Sequence, residues 1–102
     1  MSGKRPKQKG DRMERAIVNA FQDAGVHSER VPLSGAAGGS YIGDLTFACR
    51  GDDWLGECKA RADGWRELRR WIEPVKALFL KADRTEPLVV LRLSDFIELT
   101  KR

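Results

Sequence analysis

Asp44, Glu57 and Lys59 are the residues of this chain whose types and spacing carry the most chemistry. They fall within Gly43-Asp-Leu-Thr-Phe-Ala-Cys-Arg-Gly-Asp-Asp-Trp-Leu-Gly-Glu-Cys-Lys59. This stretch reads as two strands, Asp44 to Cys49 and Trp54 to Ala60, joined by a tight turn at Arg50-Gly51-Asp52-Asp53, because Gly and Asp tolerate the positive backbone angles of hairpins. Side chains alternate along a strand, so Glu57 and Lys59 share a face. With the turn centred on Gly51-Asp52, Asp44 lies opposite Lys59 and diagonal to Glu57. Two carboxylates and an ammonium gathered in this way suit a hard divalent cation, magnesium with manganese as its substitute. Such an ion polarises a phosphoryl oxygen and activates water, while the ammonium offsets charge growing on the phosphate. The chemistry indicated is phosphodiester hydrolysis. The plain alternative is an exposed ion cluster on an ordinary hairpin, worth little, and the triad alone does not choose between them.

At 102 residues the chain is expected to form one domain, residues 10–102, preceded by a basic flexible arm, residues 1–9. A hydrophobic share of 41% beside 33% charged residues is that of a globular fold. The net charge of +4 favours a polyanionic partner, with nucleic acid the default. No apolar run reaches the roughly 20 residues that span a bilayer, and the N-terminus has no secretory apolar core, so a cytoplasmic, unsecreted protein without a membrane partner is expected. Cys49 and Cys58 form no CxxC pair and read as reduced, small hydrophobes.

The elements that must position the triad follow from periodicity. Met13, Ile17, Ala20, Phe21 and Ala24 recur at helical spacing and Gly25 supplies a stop, so a helix is expected over Asp11 to Ala24. Glu14 falls beside its apolar stripe, which would bring its carboxylate towards the sheet edge, although by itself it reads as an exposed helix residue. A short extended segment, Val26 to Leu33, leads into a small-residue loop from Ser34 to Ser40 that lacks the pattern of a nucleotide-binding loop. Beyond the hairpin, Trp65, Leu68, Trp71, Ile72 and, past Pro74, Val75, Leu78 and Phe79 predict a second helix, kinked or split at the proline. Its outer face carries Arg66, Arg69, Arg70 and Lys76, a stripe that suits phosphates or plain solvation equally. The apolar run Leu88 to Leu93 predicts a strand buried on both faces, and a last helix is expected over Asp95 to Lys101. The order α-β-β-β-α-β-α describes an α/β fold around a mixed sheet.

This order, with an acid and a Glu-x-Lys on the second and third strands, resembles the PD-(D/E)XK nuclease superfamily. Within it, the chain looks most like the Holliday-junction resolvase branch of archaea, their viruses and some phages. Lys9-Gly10 followed by Glu14-Arg15 is similar to that branch's opening Lys-Gly-x-x-x-Glu-Arg signature, and Arg30 ahead of Ser34-Gly35 is similar to its Arg-x-x-x-Ser-Gly segment. The resemblance implies a restriction-endonuclease-like core over roughly residues 9–93. It implies Asp44, Glu57 and the backbone carbonyl of Cys58 as metal ligands, Lys59 as the residue that positions the attacking water, and Glu14 as an outer acid. Arg15 and Arg30 would hold phosphates, with either Ser34 or Ser40 as the loop serine; Lys9, Arg61 and the stripe residues Arg66, Arg69 and Arg70 are expected from their charge as further DNA contacts. Two departures stand out. Gly43 replaces the superfamily's proline before Asp44, and the segment after Lys59 is rich in Trp and Arg and interrupted by Pro74.

The function expected on these grounds is a magnesium-dependent endonuclease acting as a homodimer on branched DNA, with Trp65, Trp71 and Phe79 as candidates for interface area. A nuclease of the same fold acting on duplex, flap or single-stranded DNA is the nearest rival, and a catalytically silent DNA-binding module the next.

Overall fold

Gly25 closes the first helix with a backbone angle that other residues rarely adopt. In the computed structural model, which describes residues 4–32 and 43–101, helix α1 spans Lys4–Asp23. Gly25 takes φ +86 and donates its N–H to the Gln22 carbonyl, while the Val26 N–H reaches back to the Phe21 carbonyl at 2.9 Å. These two bonds make a Schellman stop, with Val26 buried after it as the accompanying apolar contact. The helix begins earlier than the expected Asp11, so the supposed flexible arm is helical from Lys4. Pro6 lies within the first turn, where a missing N–H costs no intrahelical bond.

The stop delivers the chain into β1 (Ser28–Arg30), which pairs antiparallel with β2 (Leu45–Cys49), itself paired antiparallel with β3 (Asp52–Gly56). Leu45, Phe47 and Cys49 alternate inward against α1 and α3 (Leu93–Thr100). Phe47 is the centre of this core. It stacks on Phe21 at 4.8 Å between ring centroids and meets Phe96 edge-on at 5.6 Å, and burying a side chain of this size contributes about 2–3 kcal/mol. Ser28 sits among these residues at 0% exposure without cost, because its hydroxyl donates to the Thr46 carbonyl at 2.7 Å. The β2–β3 turn is two residues long. Arg50 and Gly51 take φ 50 and 98, the paired positive angles of a hairpin whose twist matches its strands. The Arg50 N–H donates to the Thr100 carbonyl, and its guanidinium reaches the carbonyls of Leu99 and Lys101, so the turn caps the end of α3.

The second half of the chain departs from expectation. α2 covers only Arg66–Ile72, and the apolar residues past Pro74 form a strand, β4 (Ala77–Leu80), paired antiparallel with β5 (Leu88–Leu91). Proline ends the helix, and a four-residue apolar run is too short for periodicity to separate helix from strand. The order is therefore α-β-β-β-α-β-β-α, with antiparallel pairs in a three-stranded and a two-stranded sheet rather than one mixed sheet. Nor is β5 buried on both faces, since Leu88 and Val89 are largely exposed. Arg92 fastens this half together by donating to the carbonyls of Ile72, Glu73 and Val75 at 3.0–3.3 Å. The α/β class holds throughout. No helix among the described residues is long and apolar enough to cross a membrane.

Candidate active site

Asp44 and Glu57 flank the open end of the β2–β3 hairpin, opposite its turn. The register pairs Leu45 with Gly56, and the Asp44 N–H also bonds the Gly56 carbonyl, so Asp44 as well as Leu45 is set against Gly56, the residue before Glu57, as in a bulge. The expected pairing of Asp44 with Lys59 is shifted, because the turn is Arg50-Gly51 and both Asp52 and Asp53 belong to β3. β3 also ends at Gly56, ahead of the expected Ala60. Asp44 continues the ladder in its own way. Its N–H donates to the Gly56 carbonyl and its Oδ2 accepts the Cys58 N–H, both at 2.7 Å. The carboxylate thus takes the place of a backbone acceptor and is held firmly by a charge-assisted bond.

Gly43 makes this possible. It sits at φ +85, and a Cβ there would stand 3.2 Å from the Gly56 carbonyl oxygen. A proline, fixed near φ −65°, cannot adopt that angle, which explains the Gly-Asp found where the superfamily has Pro-Asp.

Lys59 lies beside Glu57, its Nζ 3.3 Å from Oε2, with both side chains mostly exposed. Glu14 is buried rather than an exposed helix residue, because its Oε1 accepts from the Arg30 Nε at 3.1 Å. The same guanidinium bonds Asp11 at 3.0 Å. Arg30, expected to hold a phosphate, is thereby committed to two carboxylates of α1. The spacing of Asp11 and Glu14, one turn apart on the helix, was the signal for this clamp. Its cation comes from β1, which no local pattern reveals.

The Cys58 thiol registers the electrostatics of the site. Burial first, then the charges of Asp44, Glu14 and Glu57, push its pKa up to about 11. Those carboxylates therefore act on one small volume, although among the described residues no group of three His, Cys, Asp or Glu side chains is close enough to hold an ion together. Asp44 and Glu57 are oxygen donors of the type that could hold a hard divalent cation, with the Cys58 carbonyl as a further candidate, since magnesium is commonly bound through one or two carboxylates and retains waters.

The remaining candidates divide. Arg66 and Arg70 pair with Asp63 and Glu67 of their own segment. Arg15 and Arg69 are exposed and have no carboxylate partner among the described residues. Arg61 lies over the Trp65 ring, 5.3 Å from its centroid. Lys9 falls within α1, and Ser34 and Ser40 lie outside the described residues. Sequence reasoning missed Arg12, which together with Lys59, Arg61 and Trp65 lines a groove of about 420 Å³.

Searches of curated proteins and of solved structures found no match. The family model described as archaeal Holliday junction resolvase (Hjc) matches residues 5–99, nearly the whole chain and all of the hairpin that carries Asp44, Glu57 and Lys59. The chain belongs to the archaeal Holliday junction resolvase family, nucleases of DNA recombination and repair with a restriction-endonuclease-like fold.

Proposed function

We propose that this chain is a magnesium-dependent endonuclease that cuts four-way DNA junctions as a homodimer, with Asp44, Glu57 and the Cys58 carbonyl holding the ion. The observation that carries this reading is the hairpin end itself, where Asp44 bonds the residues on either side of Glu57, the Gly56 carbonyl and the Cys58 N–H, both at 2.7 Å, with Lys59 paired to Glu57. When bound there, the ion supplies Lewis-acid polarisation of a phosphoryl oxygen and a more acidic water. Lys59 presents its ammonium to the phosphate and orients the attacking water, offsetting the negative charge that grows as the new phosphorus–oxygen bond forms and the old one breaks. Glu14 keeps Arg30 on the inner side of the site through the 3.1 Å bond. The partly exposed Arg30 then acts as a second-line positive charge rather than a free phosphate clamp.

Asp44→Asn tests the site. In magnesium at fixed salt it should abolish cutting of a four-way junction while leaving junction binding intact, and chelation of the metal should reproduce the effect. Cutting by the variant at the unsubstituted rate would refute the assignment. Comparing the junction with its separate duplex arms tests substrate preference, because equal cleavage of both favours a nuclease without junction selectivity.

Two incisions need two sites, and one chain offers one triad. The β4–β5 hairpin supports pairing of two copies. Phe79 lies across from Val89 and both are exposed on one face of the hairpin, an apolar pair of the kind that interaction faces present. Sedimentation at micromolar concentration should give a dimer, and Phe79→Asp a monomer that still folds.

A further inference from the structure

The groove beside Lys59 has a makeup that the triad does not use. It runs between α1 and the segment that follows β3, and is lined by Arg12, Met13, Ala16, Lys59, Arg61 and Trp65, a volume of about 420 Å³. The lining is cationic, apolar and aromatic, without a carboxylate. Arg12 and Arg61 have no acidic partner among the described residues, in contrast to Arg66 and Arg70, which their own segment neutralises. Trp65 is 44% exposed and holds φ +66, a left-handed angle that a bulky residue rarely adopts. Backbone strain of this kind gathers at ligand-holding positions. Gly64 contributes by having no side chain. A Cβ there would fall 2.8 Å from the Arg61 stem, which would push the guanidinium off the indole it now covers at 5.3 Å.

A planar, anionic ligand satisfies this set of groups. We infer that the groove holds an unpaired nucleotide of the DNA substrate, its base stacked on the Trp65–Arg61 pair and its phosphate met by Arg12. The inference rests on the nuclease reading for its position next to the scissile phosphate. Bases paired and stacked in a helix cannot reach the indole, whereas a base left unpaired at the crossover of a junction or in a bulge can.

The test uses the full chain carrying Asp44→Asn and no divalent ion, so that binding is read without cutting. Two probes are compared, a four-way junction with fully paired arms and the same junction with one unpaired thymine at the crossover. With Trp54→Phe and Trp71→Phe leaving Trp65 as the sole indole, the unpaired thymine should quench its emission more strongly than the paired junction does. Trp65→Ala should weaken binding of the thymine probe about ten- to hundredfold, the span that base stacking on an aromatic ring contributes, and hold the paired probe within about twofold. Trp65→Phe should recover most of the loss. Trp65→Asn, which suits the left-handed backbone, should keep or raise Tm and still lose the preference for the thymine probe.

Equal weakening towards both probes, equal quenching by both, or a fall in Tm for Trp65→Asn as large as that of a packed aromatic would overturn the inference. The two readings fail separately. If the unsubstituted chain in magnesium cuts neither probe, the nuclease reading falls while quenching still reports on the groove. If it cuts both and Trp65 emission does not distinguish them, only the groove is lost.

Discussion

Phe47 and Phe79 are the same residue on short antiparallel strands, yet Phe47 is 7% exposed and Phe79 72%. The difference lies in what covers each sheet. β2 has α1 and α3 over its inner face, and its strict alternation lets Leu45, Phe47 and Cys49 all point into that cover. The β4–β5 hairpin has α2 beside it, a seven-residue helix that offers Ile72 as its only buried side chain. Apolar content is as high in Ala77–Leu80 and Leu88–Leu91 as in β2, so composition does not decide burial. The supply of packed neighbours does. The first region therefore holds most of the buried core and carries Asp44 and Glu57 at its edge, and the second is left with apolar side chains exposed.

The sharpest way to break this contrast is to truncate both rings. Phe47→Ala should cost about 3–5 kcal/mol, as large-to-small changes at packed aromatics do, and Phe79→Ala should remain within about 0.5 kcal/mol in the monomer. Urea midpoints of dilute protein measure both. Comparable losses at the two positions would erase the distinction.

Next in size is the clamp on α1. Arg30→Met strands the buried Glu14 carboxylate, which should cost about 3 kcal/mol, and adding Glu14→Gln should restore much of it. A double-mutant cycle by chemical denaturation reads the coupling, and simple additivity would show that the clamp is unimportant.

Arg92→Ala should lose about 1 kcal/mol by freeing the carbonyls at the end of α2. Its signature is regional. Hydrogen exchange should quicken in β4–β5 and stay unchanged in β1–β3.

The smallest effect is alkaline. The folded Cys58 pKa is raised from 9.0 to about 11, so between these values the native state keeps a proton that the unfolded chain has lost. This contribution to stability is present below pH 9 and declines as the pH rises towards 11. Cys58→Ala should flatten the decline in Tm over that window, whereas Leu88→Ser should leave its shape unaltered.

Legibility from sequence follows the same divide. α1 could be read because its stripe runs long enough to fix a period and Gly25 ends it. The hairpin could be read from Arg50-Gly51-Asp52, but its register could not, since Arg50-Gly51 and Gly51-Asp52 are both acceptable turn centres and each aligns Asp44 with a different partner. The faces of the second region were misjudged because Leu78-Phe79 and Leu88-Val89 look identical whether or not a layer lies above them. The commitment of Arg30 to Asp11 and Glu14 joins residues 19 and 16 positions apart, a distance over which pattern carries no information. The membership of Lys59 and Trp65 in one groove with Arg12 was hidden for the same reason.

Arg50 gives the C-terminal helix an influence that its position in the chain conceals. The turn residue that fixes the hairpin's register is bolted, through its amide and its guanidinium, to the carbonyls of Leu99, Thr100 and Lys101. The last turn of α3 is in effect a latch on the phase of the hairpin. Sequence change there can shift the hairpin without altering a single residue of β2 or β3.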